Sequence, residues 1–196
     1  MYPVLFPWSD SPNFIHNVFV ALGFLAGGLL FMRNVRRVGA WDDRFYAMFV
    51  GILIGGALGA RLSALVDGLV SGGPRGLLLA WEYGGRSILG GLAGAYVGAQ
   101  IGKRISGYPG HTGNYFAPAV ALGLAIGRLG CFLTEPPGRA TSLPWGIHSD
   151  PRAEYLLPYC PPCQQGLAMH PSFLYEIAFL VLCLWLMRRY RHIFSA

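Results

Sequence analysis

The sequence predicts an all-α fold, a polytopic membrane helix bundle of about five transmembrane helices. Of its 196 residues, 54% are hydrophobic and only 12% are charged, whereas an ordinary soluble domain carries roughly 25% charged residues. Apolar runs long enough to cross a bilayer recur along the chain, with basic residues beside their ends. The 28 glycines fit a membrane bundle, because membrane helices pack closely through small residues. We expect residues 1–196 to form a single transmembrane domain.

The apolar runs give the expected helices in chain order. They cover residues 13–32, 45–66, 87–102, 115–133 and 171–187. The first run follows no Lys or Arg and precedes Arg33, Arg36 and Arg37, which is the reverse of the charge order in a secretory signal peptide. We therefore expect this run to be a retained helix that passes from the outside to the cytoplasm.

The basic residues beside the other runs predict the orientation of the whole bundle. If the spans alternate, all of the clusters fall on one side of the membrane: Arg33, Arg36, Arg37, Arg44, Lys103, Arg104, Arg188, Arg189 and Arg191. The positive-inside rule makes that side cytoplasmic. The amino terminus and the loops 67–86 and 134–170 are then outside, and the carboxyl terminus is cytoplasmic. The loop 134–170 is rich in Pro, Trp, Tyr and His, and we expect it to fold back over the membrane surface.

Glycines recur every four residues in the second and third expected helices. They are Gly51, Gly55 and Gly59 in the second, and Gly90, Gly94, Gly98 and Gly102 in the third. Residues four apart share one face of a helix, so each set predicts a seam along which two backbones approach closely.

Two arginines, Arg61 and Arg128, fall within or near the expected outer ends of the second and fourth runs. A charge at membrane depth costs about 3 kcal/mol or more unless it is paired or hydrated. The carboxylates at similar depth are Asp67, Glu135 and Glu176. Two interpretations follow: a buried ion pair that holds helices together, or an anion site. A phosphate headgroup suits the second, because its oxygens accept the planar donor fork of arginine.

Six short motifs occur in a fixed order between about residues 51 and 176. They are GAR (59–61), GGRS (84–87, with a second glycine pair at 90–91), FAP (116–118), GRLGCFLTEPPGR (127–139), LPWG (143–146) and HPSFLYE (170–176). Together they resemble the prolipoprotein diacylglyceryl transferase family. The resemblance covers most of the chain.

The resemblance implies an enzyme of lipoprotein biosynthesis in the bacterial inner membrane. Such an enzyme moves a diacylglyceryl group from the anionic phospholipid phosphatidylglycerol to the lipobox cysteine of a preprolipoprotein and releases glycerol phosphate. Carried over by motif, Arg128 would hold the phosphate region, Glu135 and Arg139 would belong to the outer polar cluster, and Tyr175 and Glu176 would brace it. We expect catalytic roles for Arg128, Glu135 and His170, and substrate-binding roles for Arg61, Arg86, Arg139, Tyr175 and Glu176. We expect no cofactor and no metal.

Several positions depart from the family's pattern. Leu89 stands where the family has a histidine proposed to deprotonate the thiol, and Cys131 and Thr134 stand where it has asparagines. The chain also ends after the fifth run, whereas family members continue through further helices. Two hypotheses therefore remain: a short, divergent transferase, and a catalytically silent homologue that serves as a lipid-binding or structural subunit beside other membrane proteins.

Three further residues each have two interpretations. His170 is either a replacement base or a capping residue before Pro171. Cys131 is either a nucleophile or a small packing residue. His16 either joins the outer polar cluster or anchors the interface.

The cysteine pair and the net charge complete the expectations. Cys160 and Cys163 have the spacing of a metal or redox pair, but on an oxidising face we expect a disulfide. The net charge of +6 comes from short clusters beside apolar runs, so we expect no nucleic-acid partner.

Overall fold

The described residues of a computed structural model form six α-helices and no β-sheet. The structure describes residues 12–37, 42–82, 87–108, 110, 112–135, 138–148 and 160–190, without the side chains of residues 12, 13 and 82. The helices are α1 (Pro12–Arg37), α2 (Phe45–Glu82), α3 (Ile88–Ser106), α4 (Gly113–Thr134), α5 (Pro161–Gln164) and α6 (Ser172–Arg189). The predicted all-α fold is confirmed.

The long helices have the composition of membrane spans. Three of them are long and apolar enough to cross a bilayer, over Phe14–Arg37, Phe45–Trp81 and Gly113–Thr134. They expose large apolar side chains, such as Phe24 at 70% and Leu53 at 60%, which suits contact with lipid. The chain is therefore a multi-pass membrane protein. The remaining expected runs form α3 and α6, and the count of five spans and the orientation stay predictions.

The chain divides into two compact units. One comprises Met1–Gly39 and Thr112–Ala196, and the other Ala40–His111. The first unit holds α1, α4, α5 and α6, and the second holds α2 and α3. That residues 1–196 behave as one domain stays a prediction.

The second unit is built on the predicted glycine seam between α2 and α3. A methyl group on Gly98 would collide with the backbone carbonyl of Gly51, and one on Gly94 would collide with that of Gly55. Gly59 and Gly90 approach each other in the same way. The seam is confirmed, and only residues without a side chain permit this helix separation.

The prediction of a loop over residues 67–86 was wrong for residues 67–82, which are helical. Helix α2 continues to Glu82 and reverses direction at Gly73, whose φ of 59° and ψ of −152° are accessible almost only to glycine. Pro74 follows, and its fixed φ suits the first turn of the returning segment. Gly68 and Gly76 then lie against each other. The two helical segments therefore form a tight hairpin.

The first unit is built on an antiparallel contact between α1 and α4. A methyl group on Gly23 would lie 2.5 Å from the carbonyl oxygen of Gly123, and one on Gly27 would lie 2.8 Å from that of Ala119. Nearer the end of α4, a methyl group on Gly130 would lie 2.8 Å from the Cβ of Phe19. This register brings the beginning of α1 beside the end of α4. Helix α6 also packs against α4.

The described parts of the segment 138–171 are ordered by backbone pairing. Met169 forms isolated antiparallel bridges with Ala140 and Ile147, and its side chain is almost fully buried against Cys160 and Cys163. These two cysteines are joined by a disulfide, with Cα atoms 5.2 Å apart. The described residues of this segment therefore pack together within their own unit.

Candidate functional site

Arg128 lies in the last two turns of α4 and faces the beginning of α6. Its Nε is 2.5 Å from Oε2 of Glu176, and its guanidinium carbon is 5.9 Å from the ring centre of Phe173. The side chains of Arg128 and Glu176 are 22% and 45% exposed. The ion pair is thus partly exposed.

Cys131 and Glu135 follow Arg128 at spacings that keep all three on one side of α4. Nη1 of Arg128 is 3.9 Å from Sγ of Cys131. From α1, the Nδ1 atom of His16 lies 3.3 Å from Oε1 of Glu135 and 3.8 Å from Sγ of Cys131. We call these four residues and Glu176 the Arg128 cluster. It joins α1, α4 and α6 within one unit.

A second polar chain connects the segment 138–148 to α6. The indole Nε1 of Trp145 donates a hydrogen bond of 2.7 Å to the hydroxyl of Tyr175. The same hydroxyl lies 3.2 Å from Nδ1 of His170. Because Tyr175 precedes Glu176 in sequence, the first turns of α6 carry residues of both polar groups. We call these three residues the Trp145 chain.

The structure brings some of the sequence-predicted site residues together. Arg128, Glu135 and Glu176 belong to the Arg128 cluster, and His170 and Tyr175 belong to the Trp145 chain. Arg139 has an exposed side chain, and its carbonyl accepts a hydrogen bond from the backbone N–H of His170.

The other two predicted binding arginines belong to the second unit. Arg61 donates to the carbonyl oxygen of Trp81, and its guanidinium lies 5.2 Å from the centre of that ring. This contact depends on the hairpin at Gly73, which returns the chain to the level of Arg61. Arg86 lies outside the described residues.

Sequence reasoning did not foresee the contact between His16 and Cys131. The two residues are 115 positions apart, and their register depends on the small-residue contacts between α1 and α4. The available signal was Gly130 beside Cys131, since a glycine at a helix surface permits close approach of a neighbouring helix. Trp145 was also missed as a site residue, although it lies in the LPWG motif.

Together, the fold and these contacts define a class: a multi-pass helical membrane protein with a half-buried arginine held by a carboxylate of a neighbouring helix. The sequence model of the family described as prolipoprotein diacylglyceryl transferase matches residues 3–195. The chain belongs to this family.

Three relatives show the extent of the similarity. The chain is 34% identical over 186 residues to the phosphatidylglycerol–prolipoprotein diacylglyceryl transferase of Geobacter sulfurreducens, covering 89% of this chain and 65% of that protein. It is 33% identical over 182 residues to the corresponding enzyme of Solidesulfovibrio magneticus, covering 84% of this chain and 62% of that protein. It is 37% identical over 133 residues to the corresponding enzyme of Rhodococcus jostii, covering 61% of this chain and 37% of that protein. The chain thus spans less than two thirds of the length of these relatives.

Proposed function

We propose that this protein transfers a diacylglyceryl group from phosphatidylglycerol to the thiol of a preprolipoprotein cysteine in the bacterial inner membrane. The observation that carries the proposal is the ion pair of Arg128 with Glu176, at a motif that resembles the family's. Relatives are named for this reaction. The guanidinium has five N–H donors, and the described contacts with Glu176 and Cys131 use two of them. Donors therefore remain for a phosphate.

The reaction requires one bond to form and one to break. The acceptor sulfur bonds to the glyceryl carbon of the diacylglyceryl group, the bond from that carbon to the phosphate oxygen breaks, and glycerol phosphate leaves with the electron pair. The acceptor thiol loses its proton. In this proposal Arg128 stabilises the negative charge that grows on the leaving phosphate, which is the kind of electrostatic contribution that most lowers such barriers.

The remaining roles follow from the contacts of each residue. His170 is the proposed base, and its Nδ1 contact with Tyr175 would orient the ring. Glu135 acts within the Arg128 cluster through its contact with His16. Glu176 positions Arg128, and Arg61, Arg86, Arg139 and Tyr175 would contact the lipid or the acceptor.

A specific observation favours a second function, that of a silent lipid-binding homologue. Leu89, which stands where the family is expected to have its histidine, lies in the first turn of α3 and is 79% exposed. Leucine cannot accept a proton. In this alternative, Arg128 still binds the headgroup of an anionic lipid, and the protein acts beside other membrane subunits.

The test is a reconstituted assay that separates binding from chemistry. The purified chain is mixed with phosphatidylglycerol and a lipobox peptide, and mass spectrometry follows the thioether-linked lipopeptide. The full-length Geobacter relative serves as the positive control. We expect product. Binding of phosphatidylglycerol without product, under conditions in which the relative is active, would reject the transferase and support the silent homologue.

A further inference from the structure

The side chains of His16, Cys131 and Glu135 bring three different metal-ligand atoms to one point. Nδ1 of His16, Sγ of Cys131 and a carboxylate oxygen of Glu135 all lie within 4.8 Å of one another. A single ring nitrogen faces both acidic groups, at 3.3 Å from the Glu135 oxygen and 3.8 Å from the sulfur. From this geometry we infer that the protein binds a divalent transition metal ion of the zinc type here.

The distances fit a tetrahedral ion. Zinc bonds of about 2.0–2.1 Å to nitrogen or oxygen and about 2.3 Å to sulfur place neighbouring ligand atoms about 3.3–3.6 Å apart. The two distances from His16 are close to these values. One thiolate and one imidazole select zinc and its neighbours over magnesium or calcium, which prefer oxygen ligands. Three protein ligands leave a fourth position for an exogenous ligand.

The surroundings of the site balance its charge. A thiolate and a carboxylate neutralise a divalent ion, while Glu176 neutralises Arg128. Nη1 of Arg128, 3.9 Å from the sulfur, is placed to donate to a metal-bound thiolate, as outer groups commonly do around metal ligands. Cys131 is only 5% exposed, so water has little access to the sulfur. The packing of Gly130 against α1 fixes the approach of His16.

The metal site does not depend on the transferase reaction. Cys131 stands at a position where the family resemblance implies an asparagine, so the site is expected in this chain and in relatives that share the cysteine. Its test therefore uses a spectroscopic signal from the metal and no lipid substrate.

The experiment is a cobalt titration of the full chain in detergent after treatment with a chelator. Cobalt(II) bound to a thiolate gives a charge-transfer band in the near ultraviolet, and we expect one ion per chain, displaced by zinc. Cys131→Ser should remove the band. His16→Ala and Glu135→Gln should each weaken cobalt binding by about tenfold or more.

Two matched controls isolate the site. Cys183→Ser removes the other described free cysteine, and His148→Ala removes a histidine whose Nδ1 faces the carbonyl of Gly166; both should leave the titration unchanged. A wild-type protein without the band, or a band that persists in Cys131→Ser, would overturn the inference. If Cys131→Ser does not fold, unchanged affinity in both His16→Ala and Glu135→Gln would overturn it equally.

Discussion

At the scale of the residue, the main feature of the site is Arg128, which lies near the end of a membrane helix. Its contact with Glu176 offsets part of the cost of removing both charges from water. Because both side chains keep partial exposure, solvent screens part of their attraction. In the proposed function, the remaining donors of Arg128 bind the phosphate of the lipid.

The disulfide of Cys160 and Cys163 gives a prediction at the same scale. The segment 138–171 is expected on the oxidising side of the membrane, where disulfides persist. Mass spectrometry of the protein purified without reductant should therefore recover a peptide two hydrogen masses lighter than the dithiol form. Two alkylated cysteines at these positions, or a metal ion bound to them, would refute the pairing.

At the scale of the element, the sequence predicted what depends on local pattern. Apolar runs located α1, α3, α4 and α6 because length and hydropathy are properties of each run alone. The extension of α2 was missed because its reversal depends on the backbone angles of Gly73. The contact of His16 with Cys131 was missed because helix register depends on the packing of two distant segments. Of the candidate site, the motifs predicted that Tyr175 and Glu176 would brace the polar cluster around Arg128, but not which atoms meet.

The glycine seam of α2 and α3 predicts that glycine-to-alanine substitutions at two positions differ strongly in their effect on the free energy of unfolding. Gly98→Ala places a methyl group against the carbonyl of Gly51, and we expect it to lower the free energy of unfolding by about 1–3 kcal/mol. Gly28→Ala adds the same methyl group where nothing lies within 4 Å. It should be neutral or gain up to about 1 kcal/mol of helix propensity.

Denaturant titration in detergent micelles, followed by circular dichroism, measures both effects. Equal stability of the two variants would show that the α2–α3 backbones do not touch in the folded protein.

At the scale of the whole molecule, the apolar surface of the long helices suits a protein that lies in a bilayer. The windows of α1 and α4 with membrane-span character are only 22% and 28% buried within the protein, and that of α2 is 0% buried. Water cannot solvate such surfaces at low cost, whereas lipid can. Membrane insertion therefore accounts for the exposed apolar side chains.

The predicted orientation is tested by thiol accessibility in intact cells. A membrane-impermeant reagent should label Ser142→Cys, in the expected outer segment, and should not label Ser106→Cys, at the end of α3. The unsubstituted protein provides the background from Cys131 and Cys183. Labelling of Ser106→Cys from outside would contradict the predicted orientation of the bundle in the membrane.

The most direct measurement of the central claim is the rate of phosphatidylglycerol-dependent lipopeptide formation in variants of Arg128. Arg128→Ala should lower the rate by about a hundredfold or more, because it removes the cation that faces the leaving phosphate. Arg128→Lys should recover little, since an ammonium group does not reproduce the planar donor fork. Arg188→Ala removes an exposed arginine from the last turn of α6 and should leave the rate unchanged. A wild-type rate in Arg128→Ala would contradict the proposed role of this residue and, with it, the proposed site.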